Sequence, residues 1–192
     1  MHVSMTIQAP TTEQLVHLFA SRLAAVGGNA YRVANSEEAA ESIVSHATGS
    51  DRTVWISDDV ARRAPEVIEN LRRLGFETRV PRDPAEVRDQ PLGLAIAEGA
   101  IAETGSAIMS EPRVNSRSVT LMTETLVVLC PLAALMPSLD DAAGVLRAIS
   151  ATGASYATFV TGPSRTADIE RQLTVGVQGP SVFHVILVDA LT

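Results

Sequence analysis

Between Thr161 and Glu170 the chain places a glycine, a proline, three hydroxyls, an arginine and two carboxylates within ten residues. The apolar run from Tyr156 to Val160 ahead of them predicts a buried strand. The acidic start at Asp168 and Glu170, with Leu173 and Val175 behind it, predicts a helix. A strand–turn–helix corner of this kind offers backbone N–H groups and a helix dipole to an anion. Gly162 permits close backbone approach and Pro163 fixes the turn. Arg165 can grip a carboxylate or phosphate through two parallel hydrogen bonds. Ser164 or Thr166 either caps the helix or faces the ligand. Asp168 already complements the dipole, so it competes with a bound anion or orients Arg165. An anion site and an ordinary scaffold corner both stand on these residues alone.

A second stretch, Glu98 to Ser106, combines small residues with two carboxylates. Small side chains here allow tight packing or approach of the backbone to a ligand. Glu103, beside Thr104 and Gly105, is the candidate catalytic carboxylate, as base or nucleophile. Its competing role is to cap a turn or to pair with an arginine such as Arg117. Cys130 closes an apolar strand with no histidine partner in view and reads as a small apolar packer. His184, inside the last apolar run, reads as a satisfied core histidine. His2, His17, His46 and His184 show no ligand spacing, so no metal is expected. A single cysteine cannot form an internal disulfide, which fits a reducing cytoplasm. Nor can it hold an iron–sulfur cluster, which needs about four thiolates. No G-x-G-x-x-G follows a strand, so no dinucleotide fingerprint is present.

The elements that must position these groups follow from hydrophobic period. Thr11 and Gln14 form a capping box ahead of Leu15, Leu18, Phe19, Leu23 and Val26, and Gly27-Gly28 stops that helix. His17 falls off the stripe and reads as exposed. Tyr31 to Val33 predicts a strand, and Ser36 caps a helix from Glu37 to His46. Thr53 to Ile56, Glu77 to Val80 and Leu92 to Ile96 predict strands, with a helix from Pro65 to Leu74. Ala107 to Met109, Thr125 to Leu129 and Ser181 to Val188 add three more, the last buried on both faces. Ser138 caps a helix from Leu139 to Ile149. Glu111 to Thr123 is polar and without period, which predicts a functional loop and a surface for partners. Strands alternating with helices make this an α/β chain, three-layered, with a mostly parallel sheet flanked by helices.

At 192 residues with 46% apolar and 19% charged content, the chain suits one folded domain, preceded by a loose arm over its first ten residues. A net charge of −7 argues against nucleic acid as a partner. Arg62, Arg63, Arg72 and Arg73 sit among glutamates and read as a solvated face. The apolar run from Leu126 to Pro137 is too short to span a bilayer and Pro131 interrupts it, so a soluble, cytoplasmic protein is expected.

Glu103-Thr104-Gly105 before a strand, the Thr161–Glu170 motif, Gly176-x-x-Gly179-Pro180 and Phe183-His184-Val185-Ile186-Leu187-Val188-Asp189 together resemble the LUD-domain family, the lactate-utilisation protein C-like proteins. The match covers about half the chain, from near Leu92 to Asp189. The resemblance implies a fold similar to the glucosamine-phosphate isomerase, ribose-phosphate isomerase and CoA-transferase superfamily. It also implies a non-redox role in oxidising lactate to pyruvate beside partner subunits, at least one of which carries iron–sulfur clusters. No cofactor is then expected in this chain. Where the family usually has His-Gly-Pro, this chain has Gln178-Gly179-Pro180. Glutamine keeps hydrogen bonding but cannot shuttle a proton.

Overall fold

The computed structural model describes residues 9–153, 156–166, 174–176 and 179–191. In chain order the elements are α1 (Thr12–Ala24), β1 (Asn29–Val33), α2 (Ser36–Ser45), β2 (Thr53–Ile56), α3 (Asp58–Arg63) and α4 (Pro65–Arg73). Then come β3 (Glu77–Arg79), β4 (Leu92–Ile96), β5 (Gly99–Ile101), β6 (Ser106–Met109), α5 (Val114–Met122), β7 (Thr125–Pro131) and β8 (Leu135–Met136). The chain ends with α6 (Ala142–Ala151), β9 (Thr158–Val160), β10 (Arg165–Thr166), β11 (Thr174–Val175) and β12 (Val182–Val188).

Six strands in the order β1-β12-β7-β4-β2-β3 form an entirely parallel sheet. Its central strands β4, β7 and β12 are apolar runs because both faces are covered. On one face Leu94, Ile96, Val127, Leu129, Ile186 and Val188 pack against α2 and α4 through Ala40, Ile43, Val67 and Leu71. On the other, Leu126, Val128, Cys130, Phe183, Val185 and Leu187 meet Phe19 and Leu23 of α1. That second face is not a plain helical layer. A four-stranded sheet, β8-β5-β6-β9, lies over part of it, and α6 closes the far side of that sheet through Ala142 and Ile149.

The capping box of α1 forms as the sequence predicts: Thr11 Oγ1 accepts from Gln14 N–H, and Gln14 Oε1 from Thr11 N–H. Other boundaries move. Asn35, not Ser36, caps α2, because its side chain accepts from Glu37 and Glu38 N–H. The helix expected from Leu139 begins at Ala142, and Ser138 instead donates to Asp141. The strand expected over Tyr156–Val160 is confined to Thr158–Val160 at the edge of the small sheet, with Phe159 exposed.

Two corrections bear on function. The segment Glu111–Thr123 is mostly helix rather than loop, and Ser116, Ser118, Val119 and Thr120 are buried in it. It lacks an apolar stripe because hydroxyl-bearing residues face the sheet. A Cβ at Gly93 of β4 would stand 2.5 Å from Thr123 Oγ1, so Gly93 is what lets the end of α5 lie this close. The helix expected after Thr166 is replaced by strand at both of its described ends. Arg165–Thr166 pair antiparallel with Thr174–Val175, so both ends are extended. Asp168 and Glu170, like Gln178 and the arm before Ala9, lie outside the described residues.

Candidate functional site

Leaving β2, the chain steps outward to β3 and then returns on the other side of β2 as β4. The carboxyl ends of β2 and β4 therefore flank a topological switch point, the place where open parallel sheets hold ligands. After β2 come Ser57, Asp58 and Asp59, which open α3; after β4 come Ala97 and Glu98. A cleft of about 830 Å³ lies there, lined by Asp58, Arg62, Arg63, Glu98, Glu111 and Arg113 among others. Its apolar wall is Val145, Ala148 and Ile149 of α6. This volume is in the range of small-molecule sites.

The charged groups at the mouth are partly committed to one another. Arg63 donates to Glu98 at 2.9 Å and to the Ala97 carbonyl at 3.2 Å. Arg62 pairs with Asp59 at 2.6 Å, with 71% of its side chain exposed. Arg113 makes a longer 3.2 Å contact with Asp58, and 76% of its side chain is exposed. Asp58 is held by α5, since Ser116 Oγ donates to its Oδ2 at 3.1 Å and accepts from its N–H at 3.2 Å. Exposed pairs of this kind exchange partners at little cost, so Arg62 and Arg113 can turn to an anionic ligand.

Glu111 is the residue that stands apart. It follows β6 and is only 2% exposed. Its Oε2 accepts from Thr120 Oγ1 on α5, while its buried Oε1 has no partner among the described residues. Burial raises its pKa from 4.5 to about 7. The Thr120 hydroxyl pulls the other way, Asp59 adds to the rise, and Arg117 opposes it. A buried acid that titrates near neutrality, with one oxygen unspent and a cleft beside it, can donate or accept a proton there. Arg117 itself stacks over Tyr156 and donates to the Glu111 and Pro112 carbonyls, which fixes the backbone at this point.

The cleft is not visible in the sequence. Arg62 and Arg63, expected on a solvated face, both line it, with Arg62 still largely exposed and Arg63 largely engaged. At Glu111 the sequence predicts only a loop. Its one local signal is a Glu-Pro step just past an apolar strand.

The residues singled out in the sequence gather elsewhere. Glu103–Gly105 and Thr161–Gly162 do meet: Ser106 Oγ bonds Thr104 Oγ1 at 2.8 Å and Thr161 Oγ1 at 2.6 Å. Both stretches back onto α1. A Cβ on Gly105 would stand 2.6 Å from Leu23 N, and one on Gly162 3.0 Å from Val26 O. The Glu103 carboxylate accepts from Leu139 N–H at 3.0 Å, the turn-capping alternative rather than an arginine pair. Ser164 spends its N–H on the Pro180 carbonyl at 2.8 Å, and its carbonyl accepts from Gly176. Arg165 is exposed at the head of the β10–β11 ribbon. Through Gly179, this corner adjoins Ser164 and the Leu121 carbonyl, near the start of β7 and β12. It therefore belongs to the amino edge of the large sheet, opposite the cleft.

Two further residues are buried within strands of the large sheet, Cys130 in β7 and His184 in β12. Cys130 lies fully buried, and burial raises its thiol to about 12. His184 is core, as expected, but not satisfied: it stacks on His46 at 3.8 Å and its Nδ1 lacks a partner among the described residues. Also among the described residues, no three His, Cys, Asp or Glu side chains converge as they would around a metal ion. No helix there is long and apolar enough to cross a membrane.

Comparison with known proteins gives this geometry a family. Lactate utilization protein C of Oceanobacillus iheyensis is 34% identical over 119 residues, 60% of this chain and 49% of that protein. The protein of the same name from Bacillus subtilis is 34% identical over 101 residues, 51% of this chain and 42% of that protein. The chain spans about half the length of the curated relatives it matches. A crystal structure of a DUF162 family protein from Deinococcus radiodurans shares the fold. Its TM-score is 0.69 at 17% identity, covering 93% of this chain and 99% of that one. The model of the LUD domain matches residues 16–188, from within α1 to the end of β12, and the chain belongs to the LUD-domain family.

Proposed function

We propose that this chain serves lactate utilisation as a non-redox component, supporting oxidation of lactate to pyruvate beside iron–sulfur partner subunits in the cytoplasm. The observation that carries this reading is the family match over residues 16–188, and the names of the relatives support it. One cysteine in 192 residues leaves the electrons to a partner or a cofactor brought from outside. Residues 1–192 act in this reading as a single domain, and kinship with the isomerase and CoA-transferase superfamily is part of the same proposal.

The chain's own contribution is to bind a small carboxylate or phosphate anion, and two places can supply the arginine. The Thr161–Asp168 turn offers Arg165, with Gly162, Ser164 and Thr166 beside it. There the Ser164 N–H is already bonded to Pro180, so the backbone gives less than a helix terminus would. The switch-point cleft offers Arg62 and Arg113 at its mouth and a buried acid within. The geometry favours the cleft. The alternative reading, an isomerase- or transferase-like enzyme or a ligand sensor, passes from Glu103 to Glu111, because Glu103 is exposed and capping a turn.

Deleting the gene should abolish growth on lactate while leaving growth on pyruvate intact, and the gene supplied in trans should restore it. Undiminished growth of the deletion strain on lactate would end the lactate reading.

A further inference from the structure

The cleft contains a group that a simple anion site does not need. Arg62 and Arg113 suffice to hold a carboxylate or phosphate, yet Glu111 lines the same cleft with Oε2 bonded to Thr120 and Oε1 without a partner among the described residues. A carboxyl oxygen buried and unsatisfied costs stability, and a ligand atom bonded to it would recover that cost. We propose that Glu111 contacts the oxygen on carbon 2 of a bound 2-hydroxy or 2-oxo acid, whose carboxylate is held by Arg113 and Arg62, and that the Glu111 proton discriminates between the two acids. The inference rests on reading the cleft as the ligand site. The choice of acids rests on the lactate reading proposed above.

The chemistry is that of donors and acceptors. A keto oxygen only accepts, so it needs the carboxylic acid as donor; against a carboxylate it faces a second acceptor and no proton. A hydroxyl both donates and accepts, so it bonds the acid and the carboxylate alike. Glu111 changes between these forms near neutral pH. The charged groups that act on it are Asp59 from α3 and Arg117 from α5, with Asp58, Arg62, Arg63, Glu98 and Arg113 lining the same cleft. Below about pH 7 the acid form serves both ligands. Above it, only the 2-hydroxy acid keeps its bond. No covalent bond of the ligand is made or broken in this step; the Glu111 O–H proton passes to solvent water.

The test is calorimetric titration of pyruvate, lactate and propionate between about pH 6 and pH 8, on the wild type and on Glu111→Gln and Arg113→Ala. Propionate lacks the oxygen on carbon 2 and reports the carboxylate contact alone. One hydrogen bond corresponds to roughly a three- to tenfold change in affinity. Pyruvate should weaken by about that factor as the pH rises, while lactate and propionate change little. Glu111→Gln, which keeps the shape and cannot titrate, should bind pyruvate with a flat pH profile. Arg113→Ala, on an exposed side chain that folding does not need, should weaken all three acids. If the acids bind and depend on Arg113 but pyruvate shows no Glu111-dependent pH profile, the inference is wrong and the cleft reading stands. If none binds at millimolar concentration, the cleft reading falls and the inference with it.

Discussion

Gly105 offers a direct way to separate a structural role from a ligand-binding one. It sits at φ +69°, and a Cβ there would lie 2.6 Å from Leu23 N and 2.9 Å from the carbonyl carbon of Arg22. Both are backbone atoms of α1, which cannot swing aside as a side-chain tip can. Gly75, at φ +83° with nothing within 4 Å of its Cβ position, has the same backbone demand without the collision. The left-handed conformation costs a non-glycine residue roughly 1–2 kcal/mol, so Gly75→Ala should lose about that much. Gly105→Ala should lose the same plus roughly 1–3 kcal/mol for pushing α1 off the small sheet. At this chain length each kcal/mol lowers Tm by about 2–4 °C, so the two variants should differ by several degrees. Urea unfolding followed by the fluorescence of Trp55, the single tryptophan and nearly buried, measures both. Equal losses in the two variants would refute the collision. A stable Gly105→Ala protein with impaired anion binding would return Gly105 to a ligand role.

Two further outcomes follow from buried titratable groups. His184 is held below its ordinary 6.5, at about 4, by burial first and by His46 second; His46 is lowered by burial as well. An unfolded histidine takes up its proton below about pH 6.5 and the folded His184 does not until about pH 4. Stability therefore falls as pH drops through that window, by at most about 3 kcal/mol for His184. His184→Leu should flatten this acid limb in urea melts, and an unchanged slope would contradict it. Cys130, fully buried with its thiol raised to about 12, should react with an aromatic disulfide reagent only at the rate of unfolding. Fast stoichiometric labelling of the native protein would show that the strand end opens.

The strands of the large sheet were legible because burial on both faces demands unbroken apolar runs, and β4, β7 and β12 supply them. The start of α1 was legible because Thr11 and Gln14 lie three residues apart, where a helix brings them into mutual contact. Helix α5 was not, since Ser116, Ser118 and Thr120 face inward and erase the apolar period. The β10–β11 ribbon was not legible because an acidic start beyond Thr166 resembles a first helical turn, whereas Thr166 and Thr174 pair across strands; Asp168, Glu170 and Leu173 lie outside the described residues. The cleft was invisible for a different reason. Asp58 and Glu98 are far apart in sequence and meet because β2 and β4 are neighbours in the parallel sheet, while Glu111 is brought to them by β6 of the small sheet, whose Ile108 carbonyl accepts from Glu98 N–H. The raised pKa of Glu111 is likewise a product of burial by α5, which no local pattern encodes.

On the proposed reading, the ligand of this chain sits at the carboxyl edge of the parallel sheet. Amide NMR shifts recorded while lactate or pyruvate is added to the protein test it most directly. Perturbations are expected to gather on Asp58–Arg63, Glu98 and Ser110–Ser116, around the cleft. Shifts confined to Ser164–Thr166, Gly176 and Gly179–Ser181 would instead place the ligand at the opposite edge, beside Arg165, and contradict it.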